Sequence, residues 1–306
     1  MTTKRILPVL LLLAIAPVVQ WSCMPDLENG SKETAYSYPL DVGNTWKYDV
    51  NFRSENYRNY ISDSNYVPFD TMIMNDSMRE QVTVDRIDST TVDVPTMVMR
   101  DSMWNSNSAD TTQNSVASWF WYRNNQDGLN MYAYASTGHG AMPKKAAGKG
   151  IRYKGMAFAN PSLLAVCIFE KSNTGLVKQL AGVSFPTVYP TPQKVLQYPY
   201  SADSLWDYNP NDTNVRIARK YIGKEKVKCK AGTFECYKVR ALWDWDLDDI
   251  WDDDWEEYDW ISPQYGLIKR FYRACDFEHI DSSGSVKGKF DWIQEYQATE
   301  ISIKDH

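Results

Sequence analysis

The chain has 306 residues, 43% of them hydrophobic and 24% charged, enough to bury a sizeable core, which excludes disorder as the main state. A formal net charge of -6 argues against a nucleic-acid partner, which would need a basic face for phosphates. Aromatic residues make up 14%, with 12 Trp and 20 Tyr, a composition that favours half-buried pleated surfaces.

Lys4 and Arg5 precede an apolar run from Ile6 to Val19, broken only by Pro8 and Pro17 and followed by Gln20, Trp21, Ser22 and Cys23. That is the layout of an export signal, expected over residues 1–22. As a helix the run spans about 21 Å, short of the roughly 30 Å hydrocarbon layer. Residues 24–35, with Pro25, Asn29, Gly30 and Ser31, then read as a flexible tether leading into a folded body over 37–306.

Alternation of period two dominates that body. Trp46, Tyr48, Val50 and Phe52 alternate with polar residues, as in a strand with one wet face. Residues 81–87 and 96–99 form a second pair around Asp88, Ser89 and Thr90. Residues 119–123 and 129–134 read as a hairpin across Asn124–Gly128. After two short helix candidates at 161–169 and 174–181, the longest alternating run is Tyr237, Val239, Ala241, Trp243, Trp245 and Leu247. Strands over 267–273 and 290–303 complete the set. The expected fold is mainly β: a curved antiparallel sheet or open barrel, lipocalin-like in its capacity for a ligand, with one or two short helices. The spacing of Tyr38, Pro39, Trp46 and Tyr48 recurs at Tyr198, Pro199, Trp206 and Tyr208, and Trp121/Gly128 is echoed by Trp260/Gly266, which suggests two similar sub-units over 37–135 and 197–275.

Between Trp243 and Trp260 lie ten acids and no base. The segment departs from an EF-hand, with Asp249 where Gly is needed and Trp255 where the bidentate Glu is needed, so a solvated hairpin tip is expected and no metal is assigned. Cys229 and Cys236 flank Gly232-Thr233; a two-residue turn there would set them opposite each other as a disulfide. The histidines are His139, His279 and His306, and no nucleophile-base motif, zinc spacing or phosphate loop accompanies them. Neither an enzyme nor a cofactor is expected.

Ser22-Cys23 resembles the cleavage box of bacterial lipoproteins, which implies that Cys23 is acylated and becomes the mature N-terminus. Gln20 and Trp21 depart from that box. By analogy with lipoprotein sorting, Met24 rather than Asp after Cys23 points to the outer membrane, with the body in the periplasm or facing the surface. Residues 38–48 (YPLDVGNTWKY), 231–239 (AGTFECYKV) and 260–269 (WISPQYGLIK) resemble a group of uncharacterised bacterial envelope lipoproteins. Those are similar in plan to the LolA/LolB-like lipoprotein carriers, whose open curved sheet wraps an apolar cavity; no functional residue carries over. The resulting expectation is a non-enzymatic, lipid-anchored envelope protein binding an apolar small molecule or lipid against Trp119, Trp121, Trp243, Trp245 and Trp292. The alternative is an assembly subunit that docks a partner protein through the Trp- and Asp-rich hairpin 243–260.

Overall fold

A computed structural model describes residues 37–59, 76–105, 116–136, 150–153, 156–158, 186–210, 212–213, 215–281 and 283–304. These residues all belong to the unit Ala35–His306. The export signal, Cys23, the tether, both helix candidates and most of residues 138–155, a segment rich in Gly and Lys, lie outside the described residues. Those described contain strands and turns and no helix.

Among the described residues fourteen strands form one antiparallel sheet, and twelve of them follow one another around a nearly closed barrel. In chain order they are β1 (Thr45–Asn59), β2 (Asp76–Asp88), β3 (Thr96–Asn105), β4 (Val116–Asn125), β5 (Gly128–Ser136), β6 (Gly150–Tyr153), β7 (Met156–Phe158), β8 (Thr187–Gln197), β9 (Leu205–Asp207), β10 (Arg216–Cys229), β11 (Gly232–Asp244), β12 (Trp255–Ser262), β13 (Gly266–Ile280) and β14 (Val286–Ser302). The order around the barrel is β8-β5-β4-β3-β2-β1 and then β14-β13-β12-β11-β10-β9. β1 to β5 and β9 to β14 each run as an antiparallel meander, β8 adds beside β5, and the two runs join where β1 pairs with β14. β6 adds to the end of β13, and β7 to β6.

The remaining seam, between β8 and β9, is stitched mostly by side chains. Lys194 N donates to Tyr208 O at 3.1 Å, and Trp206 Nε1 donates to Lys194 O at 2.9 Å. Across the same gap Arg219 reaches Val195 O, and the Tyr221 hydroxyl reaches Gln197 O. Register shifts at Lys47/Tyr48, Tyr221/Gly223, Trp260/Ile261 and Ala274/Phe277 supply extra twist, which curls so wide a sheet toward closure.

Strand phase decides what fills the interior. On β1 the inner set is Trp46, Tyr48, Val50 and Phe52, all buried in the principal core, and on β14 it includes Phe290, Trp292, Tyr296 and Ala298. A fully buried aromatic side chain contributes on the order of 2–3 kcal/mol, so this layer alone is a large part of the driving force. Two smaller clusters lie apart from it. Val92, Val98, Trp121, Ala133 and Ala135 form one beside the β2–β3 loop. Cys236, Trp260 and Ile268 form the other.

Two glycines set hairpins where no side chain fits. A Cβ at Gly128 would lie 2.0 Å from the Leu196 carbonyl oxygen. Gly266 has φ +73°, and a Cβ there would meet the Tyr38 ring at 2.9 Å.

Candidate functional site

The barrel is not filled outright. A cavity of about 200 Å³ remains inside it, lined from β1 to β4 by residues that include Tyr48, Glu80, Met99, Asp101, Phe120 and Tyr122. From the opposite half come Tyr208, Arg219, Asp259, Arg270, Tyr272 and Tyr296. The lining is therefore aromatic with charges set into it, because β2, β3, β10, β12 and β13 each turn one or two ionisable residues inward in the phase of their apolar ones.

Asp259 stands at the centre of the charged set. It pairs directly with Arg270 in the β12–β13 register, and Arg270 Nε and Nη2 hold its two oxygens at 2.5 and 2.8 Å. Arg219 lies 3.4 Å from both Asp259 and Glu257, with its guanidinium 4.9 Å from the Tyr208 ring centre. Glu257 also accepts a bond from Trp243 Nε1 at 3.1 Å. Burial opposes ionisation of Asp259, but the charge of Arg270 and the hydrogen bonds from both arginines hold its carboxyl below the usual range. Glu257 has weaker help: burial pushes its carboxyl up despite Arg219.

Glu80 and Asp101 occupy the facing wall. Val82 pairs with Asp101 and Glu80 with Met103, which makes the two acids diagonal neighbours on the inner face of β2 and β3. Burial lifts the Asp101 carboxyl to about 7, against the pull of Arg270. Burial and the neighbouring Asp101 lift Glu80 well above its ordinary value. Asp101 Oδ1 is buried without a hydrogen-bond partner among the described residues.

One end of the cavity is closed by the segment entering β1. The Tyr38 N–H donates to the Tyr198 hydroxyl at 2.8 Å, the Asn124 side chain donates to Tyr38 O at 2.8 Å, and the Tyr198 hydroxyl donates to Asn124 Oδ1 at 2.9 Å. Beyond this lies an open groove of about 860 Å³ between residues 37–41, 263–265 and 301–304. Tyr38 and Tyr122 line both spaces and so form the partition between them.

None of the five tryptophans expected to bind a ligand lines the cavity. Trp119 and Trp121 belong to the cluster beside the β2–β3 loop, while Ser118, Phe120 and Tyr122, in the opposite phase, face inward. Trp121 Nε1 donates to Asp88 at 2.9 Å, and Asp88 also gathers the backbone and hydroxyl groups of Thr90 and Thr91. Trp243 and Trp292 are buried in the principal core; Trp245 stacks on Trp243 at 5.1 Å, and Trp292 lies 5.7 Å from Phe52.

The acidic segment is only partly a solvated tip. Asp244, Glu257 and Asp259 are buried, the last two inside the barrel. Asp244 accepts the backbone N–H groups of Asp248 and Asp249, and Asp252 accepts that of Trp245, so these carboxylates build the turn. Asp244, Asp246 and Asp252 each bring one carboxylate oxygen within 4.8 Å of the others, a spacing that a cation could bridge. Trp255 is buried, and Trp251 is half-buried beneath the Arg216 guanidinium.

The Cys229–Cys236 disulfide is a correction. The β10–β11 turn is Lys230-Ala231, two residues earlier than expected, so Cys229 pairs with Gly232 and Cys236 with Glu225, and both thiols are free. Burial pushes the Cys236 thiol up to about 12, which makes it a poor nucleophile. His279 faces Ile151 and Gly288 in the register and does not line the cavity; His139 and His306 lie outside the described residues.

Fold and site together define a nearly closed antiparallel barrel with a small interior chamber whose walls are tyrosine-rich and charged. No family model matches this chain, and no curated protein matches it significantly. Among solved structures it is similar to a Bacteroides fragilis protein inferred to be exported and described as having a YmcC-like fold, at 12% identity and TM-score 0.34, over 87% of this chain and 99% of that one. It is also similar to an inferred lipoprotein from Parabacteroides distasonis, at 13% identity and TM-score 0.29, over 87% of this chain and 97% of that one.

Proposed function

We propose that this is a lipid-anchored protein of the bacterial cell envelope that binds a small amphipathic molecule inside its barrel and catalyses no reaction. The anchoring half rests on sequence: the apolar run after Lys4 and Arg5, and Cys23 behind Ser22. Several acyl chains at Cys23 would hold the body on a bilayer almost irreversibly. Met24 favours the outer membrane.

The single observation that carries the binding half is the interior cavity, walled by Tyr48, Phe120, Tyr122, Tyr272 and Tyr296 around charged groups. At about 200 Å³ it falls below the roughly 300–1,000 Å³ of drug-sized sites. It therefore suits a compact molecule better than a two-chain lipid, and its charges suit an amphiphile better than a hydrocarbon. The LolA/LolB-like carrier reading rests on strand-turn motifs alone. The docking alternative has less support, since Trp243, Trp255 and Trp260 of the 243–260 hairpin are buried, although Trp251 is half-exposed and Ile250 is exposed.

Extraction of purified, folded protein with organic solvent, followed by mass spectrometry of the extract, tests the binding reading. A stoichiometric small molecule supports it, and an empty extract from material purified directly out of membranes contradicts it.

A further inference from the structure

The charges around the cavity do not balance. Arg270 spends its fork on Asp259, and Arg219 is divided between Glu257, Asp259 and the carbonyl of Val195. Both cations thus have their carboxylates. Glu80 and Asp101 are left over: both line the cavity, Glu80 is only 6% exposed, and neither carboxyl accepts a hydrogen bond from the described residues. Buried acids without donors carry a large desolvation cost, which is relieved either by protonation or by a counter-charge brought from outside.

The surroundings favour the second remedy when a suitable guest is present. Tyr48, Phe120, Tyr122 and Tyr296 line the same space, and aromatic faces attract cations most strongly where water is excluded. Neither arginine forms an ion pair with the two acids, although the charge of Arg270 reaches both and Arg219 Nε has no hydrogen-bond partner among the described residues. An anionic guest, by contrast, would meet two carboxyls and would have to displace Asp259 from a two-pronged contact.

Resting on the interior-binding reading, we propose that the guest is a compact organic cation, an amine or ammonium group held between Glu80 and Asp101 with its apolar part against the tyrosine walls. The acids supply charge recognition and the rings supply shape. The remaining wall charges form a fixed, neutral background.

Three probes of one size separate this inference from the reading beneath it: benzylamine, benzyl alcohol and benzoate, titrated calorimetrically at about pH 8, where an alkylamine is still protonated. Benzylamine is expected to bind at least about tenfold more tightly than the other two. In the Glu80→Gln/Asp101→Asn double variant benzylamine binds no more tightly than benzyl alcohol, and circular dichroism confirms the barrel. Benzyl alcohol or benzoate binding the wild type as tightly as benzylamine overturns the cation inference and leaves the interior site standing. Failure of all three to bind folded wild-type protein overturns both.

Discussion

Arg270 and Asp259 face each other across neighbouring strands and meet in a two-pronged contact inside the barrel, 2.5 Å at one oxygen and 2.8 Å at the other. This contact fixes the charge background of the cavity, because it leaves Arg219 to satisfy Glu257 and the second side of Asp259. An interior of this kind is stable only as a set. The desolvation cost of each ion is met by its partners, and removal of one leaves the others exposed to the full penalty.

Arg219→Met removes the buried guanidinium while keeping much of its volume. Glu257 and Asp259 then lose a neutralising partner, and a destabilisation of about 3–5 kcal/mol is expected. Adding Glu257→Gln to that variant recovers part of the loss. Urea unfolding of the wild type and both variants measures this; a single variant within error of wild type would show that the pair is dispensable.

Asp101→Asn acts in the opposite direction. The Asp101 carboxyl titrates at about 7 in the folded protein, above its ordinary 3.8, so the native state retains a proton that the unfolded chain has lost. Its contribution to stability therefore falls as pH rises from about 4 to about 7, and is level beyond. The amide variant should match wild type near pH 4 and exceed it at neutral pH by about 1–3 kcal/mol. Thermal melts across that range provide the check, and an advantage that shrinks as pH rises would refute the assignment.

Gly128→Ala tests the hairpin that positions Phe120 and Tyr122. The added Cβ would lie 2.0 Å from the backbone oxygen of Leu196, so β5 and β8 must separate. A loss greater than about 1 kcal/mol follows. Unchanged denaturant midpoints would mean that the two strands part without cost.

Much of the fold was legible because alternation is a direct readout of pleating. The β1 run Trp46-Tyr48-Val50-Phe52 points inward as a set, and the turn between β4 and β5 falls within the expected Asn124–Gly128. The recurring Tyr-Pro and Trp-Tyr spacings fall before and within β1, and before and around β9. What alternation does not say is which face is the inside when both are apolar. Trp119 and Trp121 outweigh Phe120 and Tyr122 in bulk, yet they lie outside the barrel, and Trp121 bonds to Asp88 across 33 residues of sequence.

The acids were misjudged for a different reason. Glu257 and Asp259 share the phase of Trp255 and Ile261, a signal that marks them as inward, but the density of charge around them suggested a wet tip. Glu80 among Met78, Val82 and Val84 carries the same mark. Their partners Arg219 and Arg270 come from other strands, and only the closed sheet brings them together. The β10–β11 turn was displaced because Gly232-Thr233 has turn composition, whereas Gly232 opens β11 and Lys230-Ala231 makes the turn.

Acylation of Cys23 is checked by mass spectrometry of the mature N-terminus, where a modified cysteine is expected. Cys23→Ser should release the protein from washed membranes into the soluble fraction. Retention of the serine variant would show that something other than the acyl chains holds it there.

Binding inside the barrel is read out by native mass spectrometry of wild-type protein, extracted from envelopes in mild detergent and never exposed to denaturant. One small adduct per chain is expected, lost on unfolding and greatly reduced in the Glu80→Gln/Asp101→Asn variant. A spectrum showing only the acylated polypeptide, with the barrel intact, would contradict binding there.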